Sequence, residues 1–205
     1  MTLTAILLII IGLLAVFAIF YLVRRYKKVG YLFWKPFAPP SIKLNEIAPI
    51  SPDQILLLEK IVPSIYYGQK YYPCAVRLED GQEFACVYII NAAEHANRRG
   101  ELPLDFYPDP IPIEKVVDIM ESPYRLPQQL AQELYNQGES AMGAFIFTVE
   151  FSNRRQLSYS TGGLVDFLEI PNGLKANEII KVIPQKALPK NHGTEMSYRW
   201  CIYRE

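Results

Sequence analysis

The sequence predicts an α+β fold: an N-terminal transmembrane helix followed by one soluble domain of antiparallel hairpins with two or three helices. An uncharged apolar run precedes everything else in the chain. After it, Asp80-Gly81 separates two apolar runs, which is a hairpin signal. The helical segments are set apart from the hairpins rather than alternating with strands. The predicted parts are a transmembrane anchor (1–23), a basic aromatic neck with a Pro-rich linker (24–41) and a soluble α+β domain (42–205).

The anchor is predicted from residues 3–23, which are mostly Leu, Ile, Ala, Val and Phe and carry no charge. A helix of this length spans about 30 Å, the thickness of a bilayer core. A cleaved signal peptide is the alternative, and it requires a basic start, a shorter apolar run and a small-residue cleavage site. The chain begins without Lys or Arg. A spanning helix is therefore favoured.

The neck sets the orientation. Residues 24–35 hold five basic side chains and no acid. By the positive-inside rule, the neck and all that follows lie in the cytoplasm. Aromatic side chains in the neck prefer headgroup depth, although a stop-transfer flank without lipid specificity explains the basic residues as well. The bilayer is thus one expected partner, and the predicted membrane-interface residues are Arg24, Arg25, Lys27, Lys28 and Trp34.

Charge and cysteine content exclude several classes of protein. Apart from residues 1–35, the chain has 16 basic and 21 acidic residues, a net charge of −5. A nucleic-acid-binding protein needs a basic patch on its folded part, so nucleic acid is not an expected partner. Cys74, Cys86 and Cys201 are too few for a disulfide framework, and they form no C-x-x-C. We expect them to be buried thiols.

The first helix of the domain is predicted to begin after Ser51. Ser51 can cap the helix, Pro52 suits its first position, and Gln54 completes a capping box. The helix should end at Pro63. Its predicted apolar face comprises Ile55, Leu58 and Val62, with Ile50 spaced for a hydrophobic staple to Ile55.

The hairpin around Asp80-Gly81 has two possible registers. A two-residue loop would place Leu78 opposite Glu83, which mixes apolar with charged side chains. A three-residue loop with Gly81 in the left-handed bulge position matches like with like, and we favour it. It pairs Arg77 with Glu83, Val76 with Phe84, and Cys74 with Cys86.

The remaining elements follow from periodicity and turn residues. A long Pro-rich surface loop is predicted over residues 91–112. Leu126, Leu130 and Leu134 align on a second helix, residues 126–137, which Gly138 ends. Residues 113–120 fit a helix, with a short strand as the alternative, and residues 177–183 fit either one. Strands are predicted over residues 143–151, 156–160, 164–170 and 196–203.

The residues that carry chemistry form no recognisable catalytic pattern. Thr161-Gly162-Gly163 lacks the lysine and helix of a phosphate-binding loop, and no Gly-x-Ser-x-Gly occurs. The histidines, His95 and His192, are too few for a zinc site. Cys74 or Cys86 could meet His95, but both cysteines fall at apolar strand positions. The carboxylate pairs Asp105/Asp109 and Glu114/Asp118 fit ordinary surface charge. We expect no metal and no cofactor.

The most unusual feature is the aromatic content, with 14 Tyr and 10 Phe. Four tyrosines fall within residues 66–72, and a second aromatic pair lies in the loop over residues 102–112. Tyrosine is enriched at protein interfaces, although core packing explains part of this set. The predicted partner-binding patch combines the two segments and consists of Tyr67, Tyr71, Phe106 and Tyr107.

These observations favour a single-pass membrane-anchored cytoplasmic protein-binding module without catalytic activity, with one protein partner. One alternative is an immunity-type protein that neutralises a toxin at the membrane, since an acidic body suits a basic toxin. The other alternative is a membrane-bound hydrolase.

Overall fold

A computed structural model describes residues 41–97, 100–187 and 189–205. The predicted anchor and the basic neck lie outside these residues. Among the residues described, no helix is both long and apolar enough to cross a membrane.

The described residues form a mostly β domain with three α-helices and with antiparallel and mixed sheets. Short 3₁₀ turns at Leu44–Glu46, Ile113–Lys115 and Ala176–Glu178 precede strands or connections. The helices are α1 (Pro52–Leu58), α2 (Ala92–His95) and α3 (Gln128–Gln137). The strands are β1 (Ser41–Lys43), β2 (Ser64–Tyr66), β3 (Gln69–Leu78), β4 (Glu83–Asn91), β5 (Glu101–Pro103), β6 (Ile111–Pro112), β7 (Val116–Met120), β8 (Phe145–Phe151), β9 (Gln156–Thr161), β10 (Ile179–Pro184), β11 (Gly193–Thr194) and β12 (Arg199–Tyr203).

The larger sheet has the order β2-β3-β4-β12-β6, and β7 also pairs with β3. The smaller sheet has the order β10-β8-β9-β11, and β1 pairs with β5. Hairpins β3–β4 and β8–β9 are antiparallel, as predicted, but β12 runs parallel to both β4 and β6. The sheet is therefore mixed. Because β12 enters the sheet from a distant part of the chain, no tight turn sets its direction.

The hairpin register is confirmed at its turn and wrong further along. Arg77 pairs with Glu83, and Gly81 has a φ of 84° in the left-handed region. Cys74, however, lies opposite Val87 rather than Cys86, because the register shifts between Cys74 and Val76. Two residues of β4, Ala85 and Cys86, lie opposite the single residue Ala75 of β3, and this extra residue on β4 moves the later pairs by one position.

The cap of α1 and the burial of Leu58 are confirmed, whereas the predicted end of the helix and the burial of Ile55 and Val62 are wrong. The Ser51 side chain accepts a hydrogen bond from the Gln54 backbone N–H, and the capping box is complete. The helix ends at Leu58, and Ile55 and Val62 are exposed. Gln54 is buried instead, because its amide donates to the carbonyls of Ile113 and Val116 at 2.7 and 2.8 Å.

Other elements differ mainly where the prediction was a loop or an apolar run. The predicted loop over residues 91–112 contains α2, β5 and β6. Residues 113–120 form a 3₁₀ turn and β7 rather than a helix, and most of residues 177–183 lie in β10. The predicted strand over residues 164–170 is wrong, since only isolated bridges at Phe167 and Leu168 pair there. Helix α3 is confirmed, with Gly138 at its end at a φ of 82°.

Two apolar clusters lie on opposite faces of the larger sheet. Successive strand residues point to opposite faces. Tyr88 of β4 and Trp200 of β12 belong to one cluster, which also contains side chains of α3 and the smaller sheet. Val87 and Cys201 belong to the other, which also contains Leu58 of α1. We call these the aromatic face and the aliphatic face.

Candidate functional site

A groove of about 540 Å³ opens between the loop after β5 and the segment that leads into β12. This volume lies within the range of ligand sites in proteins. Its lining combines aromatic rings with two carboxylates. We call it the aromatic groove, and it is lined by Asp105, Phe106, Pro108, Glu195, Met196, Ser197, Tyr198 and Trp200.

The first wall is a tight turn that presents an aromatic ring to solvent. Leu102 is fully buried and fixes the start of the loop. The backbone N–H of Phe106 donates to the Pro103 carbonyl at 3.1 Å, and that of Tyr107 donates to the Leu104 carbonyl at 3.0 Å. Phe106 is 69% exposed as a result. Backbone hydrogen bonds therefore hold the loop in place, although the side chain at its tip is apolar and exposed.

The second wall is held by backbone contacts from neighbouring segments. The Met196 N–H donates to the Phe167 carbonyl at 3.2 Å. The Glu195 carboxylate accepts from the Gly162 N–H at 3.1 Å. A Cβ at residue 162 would lie 3.3 Å from Glu195 Oε1, so the absence of a side chain there lets the carboxylate approach the backbone. Glu195 is thereby positioned at the groove.

An aromatic cluster lies beneath the groove, centred on Trp200. Its ring centroid lies 4.9 Å from that of Tyr107, 5.3 Å from Tyr88 and 5.6 Å from Tyr198. The rings of Tyr107 and Tyr198 stand at 78° and 89° to the indole, the edge-to-face arrangement that aromatic pairs prefer. The base of the groove is therefore a packed set of rings.

A fully buried carboxylate, Asp166, holds Tyr88 of this cluster in place. Ser64 and Tyr135 donate short hydrogen bonds to it, and Tyr88 donates one of 3.1 Å. The Tyr135 hydroxyl in turn accepts from the Val165 N–H at 3.0 Å. Sequence analysis missed Asp166. The only signal was an acidic residue within the apolar run 164–168.

The pKa values in this network follow from burial. Burial raises the pKa of the Asp166 carboxyl, while the hydrogen bonds from Ser64 and Tyr135 and the positive charge of Arg125 act in the opposite direction. Burial, together with the nearby Asp166, raises the pKa of Tyr88 and Tyr135 well above the usual value. Both tyrosines therefore stay protonated and remain hydrogen-bond donors.

His95 links the groove loop to the tyrosine-rich segment. Its Nε2 lies 3.1 Å from the Lys70 carbonyl, which can only accept, so Nε2 carries the proton. The Tyr107 hydroxyl can then donate to Nδ1, 3.3 Å away. The Tyr71 ring packs edge-on at 4.8 Å. Burial lowers the pKa of His95, which favours this neutral form.

The four predicted partner-binding residues occupy three positions. Tyr71 and Tyr107 both contact His95, and Phe106 lines the aromatic groove. Tyr67 is 82% exposed, and its ring lies 4.3 Å from that of Tyr66. Tyr198 and Trp200 were not predicted as site residues, because the sequence pattern over residues 196–203 indicates only a strand. The predicted membrane-interface residues lie outside the described part of the chain.

The cysteines are placed as buried side chains of the core. Cys74 and Cys201 lie on the aliphatic face and Cys86 on the aromatic face. Burial raises the pKa of Cys86 to about 11 and those of the other two also upward, so all three are protonated thiols at neutral pH. Within the described residues, no group of three His, Cys, Asp or Glu side chains is arranged to hold a metal ion.

Comparison with protein-family models, with curated proteins and with solved structures found no match to this chain. What the groove can do follows from its lining. Aromatic rings supply contact area and π-faces, and carboxylates supply negative charge and hydrogen-bond acceptors. These groups are suited to binding a ligand in a fixed orientation.

Proposed function

We propose that the protein is a membrane-anchored cytoplasmic binding module that docks one partner protein in its aromatic groove. The observation that carries this proposal is the exposed Phe106 beside a groove whose base is Trp200 and whose opposite wall includes Tyr198. Aromatic anchors in a pocket, surrounded by polar groups, are typical of protein-interaction hot spots.

The rigid support of the groove loop and its rings indicates that the exposed Phe106 ring has a role in binding. The groove loop is held at its base by buried Leu102, and Tyr107 is fixed by both Trp200 and His95. Beneath them, Tyr88 is fixed by Asp166. A preorganised surface loses less conformational entropy on binding than a flexible one. Loops on a rigid scaffold are also where binding residues concentrate.

Membrane anchoring rests on residues 3–23 and on the basic neck that follows them. To test it, a reporter that is active only outside the cytoplasm is fused after Glu205, and the same reporter is fused before Met1 as the matched control. We expect the C-terminal fusion to be inactive and the N-terminal fusion to be active, both in the membrane fraction. Activity of the C-terminal fusion would overturn the orientation.

Docking in the groove is tested by photocrosslinking in the membrane-inserted, full-length protein. A photoreactive amino acid replaces Phe106, and the matched control carries it at Met142, which is 100% exposed and is not part of the groove lining. We expect a discrete crosslinked product with one protein from position 106, absent from position 142. Equal products from both positions, or none from 106, would contradict docking in the groove.

A further inference from the structure

We infer that the aromatic groove recognises an arginine side chain of its protein partner, an inference that rests on the proposed function above. The groove brings together two features that a guanidinium group requires. These are ring faces on which its plane can stack and carboxylates that can accept its N–H groups.

The first argument is charge. Asp105 and Glu195 lie on the two walls of the groove, and its lining contains no basic residue. Within the described residues, the ion pairs involve other side chains, and neither of these carboxylates takes part. An arginine entering the groove would therefore meet two acceptors and no competing cation.

The second argument is the placement of the neighbouring cation, Arg199. Although it lies between Tyr198 and Trp200 in the chain, its Nη2 binds the carbonyl and carboxylate oxygens of Asp109 at 2.8 and 2.9 Å. Its guanidinium also lies over the Phe84 ring, 5.4 Å from the ring centroid. Strand alternation places Arg199 on the face opposite Trp200, so the protein's own arginine does not fill the groove.

The third argument is the arrangement of rings. The Tyr198 and Trp200 rings stand at 89° with their centroids 5.6 Å apart, which forms a corner beside the exposed Phe106 ring. Arginine stacks on aromatic faces through its planar, weakly hydrated guanidinium, whereas lysine presents a strongly hydrated point charge. The corner therefore favours arginine over lysine.

Glu195 is suited to accept hydrogen bonds from the guanidinium N–H groups. Its carboxylate is half-buried and is held by the Gly162 N–H. Burial raises the pKa of this carboxyl, and the hydrogen bond from Gly162 opposes that rise. A cation beside it would favour the ionised form. Bound arginine would thus offset the desolvation cost of the ionised Glu195 carboxylate.

The test uses the full-length protein in a maltoside, an uncharged detergent that does not compete with arginine. The protein contains 5-fluorotryptophan in place of tryptophan. The chain has two tryptophans, Trp34 and Trp200, and the variant Trp34→Phe assigns the two ¹⁹F resonances. The probes are the capped tripeptides Gly-Arg-Gly and Gly-citrulline-Gly, which match in shape but differ in charge. We expect the arginine peptide to shift the Trp200 resonance saturably at millimolar concentration, and the citrulline peptide to leave it unchanged.

Two double variants make the inference specific. Asp105→Asn with Glu195→Gln should weaken binding of the arginine peptide about tenfold, the loss of charge-assisted contacts. The matched control, Asp53→Asn with Glu83→Gln, removes the same charge from exposed positions outside the groove and should leave binding unchanged.

The outcomes separate this inference from the proposed function. Equal shifts with both peptides, no saturable shift, or equal weakening by both double variants would overturn arginine recognition. If position 106 still crosslinks one protein, the docking proposal stands without it. If the crosslinks from positions 106 and 142 are the same, the docking proposal fails, and recognition of a partner's arginine fails with it.

Discussion

The two faces of the larger sheet are built from the same strands but packed by different chemistry. On the aliphatic face, Val87, Ile89 and Cys201 pack with no polar atom beyond a thiol. On the aromatic face, Tyr88 and Trp200 alternate with them along the same two strands. Packing fixes these aliphatic side chains, whereas each buried tyrosine hydroxyl requires a hydrogen-bond partner.

Two buried polar side chains, Gln54 and Asp166, have different roles on the two sides. Gln54 on the aliphatic side donates to the carbonyls of Ile113 and Val116, which links α1 to β7 and to the 3₁₀ turn before it. Asp166 on the aromatic side accepts from three hydroxyl groups at once. Three buried hydroxyl groups on the aromatic side thus share one acceptor, and the groove opens on this side.

The largest effect is expected for Asp166→Ala. Removal of the carboxylate leaves the hydroxyls of Ser64, Tyr88 and Tyr135 buried without their acceptor. We expect the free energy of unfolding to fall by about 3–5 kcal/mol, the cost of breaking a buried charged network. Denaturant unfolding of the detergent-solubilised protein measures it. Asp166→Asn keeps one acceptor oxygen and should cost less; equal losses would show that the acceptor is not what matters.

A smaller loss is expected on the aliphatic side for Gln54→Leu. The leucine has a similar volume but cannot donate to the carbonyls of Ile113 and Val116, so each carbonyl loses one buried hydrogen bond. The expected loss is about 1–3 kcal/mol in the same unfolding measurement. Asp53→Asn, at the neighbouring exposed position, serves as the control and should be close to neutral. A loss from Gln54→Leu as large as that from Asp166→Ala would break the contrast between the faces.

The free energy of unfolding should depend on pH through Asp166 on the aromatic side. Burial raises the pKa of Asp166 in the folded state above its unfolded value. The folded state therefore holds this proton more tightly, and the associated stability is present below about pH 4 and lost as pH rises through the raised pKa. Relative to Asp166→Asn, the wild type should thus lose free energy of unfolding as pH increases. Parallel curves for the two proteins would contradict this assignment.

The smallest effect on stability is expected for Phe106→Ala. Its ring is mostly exposed, so the free energy of unfolding should change by less than about 0.5 kcal/mol. Crosslinking to the partner should nevertheless fall when the photoreactive group is placed at the neighbouring exposed Pro108, because the anchor ring is lost. Met142→Ala is the matched control for both measurements. A large stability loss from Phe106→Ala would show that the ring is core rather than interface.

Features that depend on a few neighbouring residues were predictable from the sequence alone. The Ser51 cap, the Gly81 turn and the end of α3 at Gly138 were all predicted, because each satisfies backbone groups or a positive φ locally. The apolar alternation of β8 was predicted for the same reason, since strand periodicity places every second side chain on one face.

Features that depend on distant segments of the chain could not be predicted from local sequence patterns. The bulge at Ala85 and Cys86 of β4 and the parallel insertion of β12 between β4 and β6 reflect how strands fit within the whole sheet. Ser64, Tyr88 and Tyr135 are separated from Asp166 by 102, 78 and 31 residues, and no local pattern links them. Likewise, Phe106 was predicted as a surface residue, but its neighbours Tyr198 and Trp200 are supplied by the last strand and the segment before it. Hydrogen bonds and packing between distant residues become specific only when the chain has folded, because their partners are then held within bonding distance.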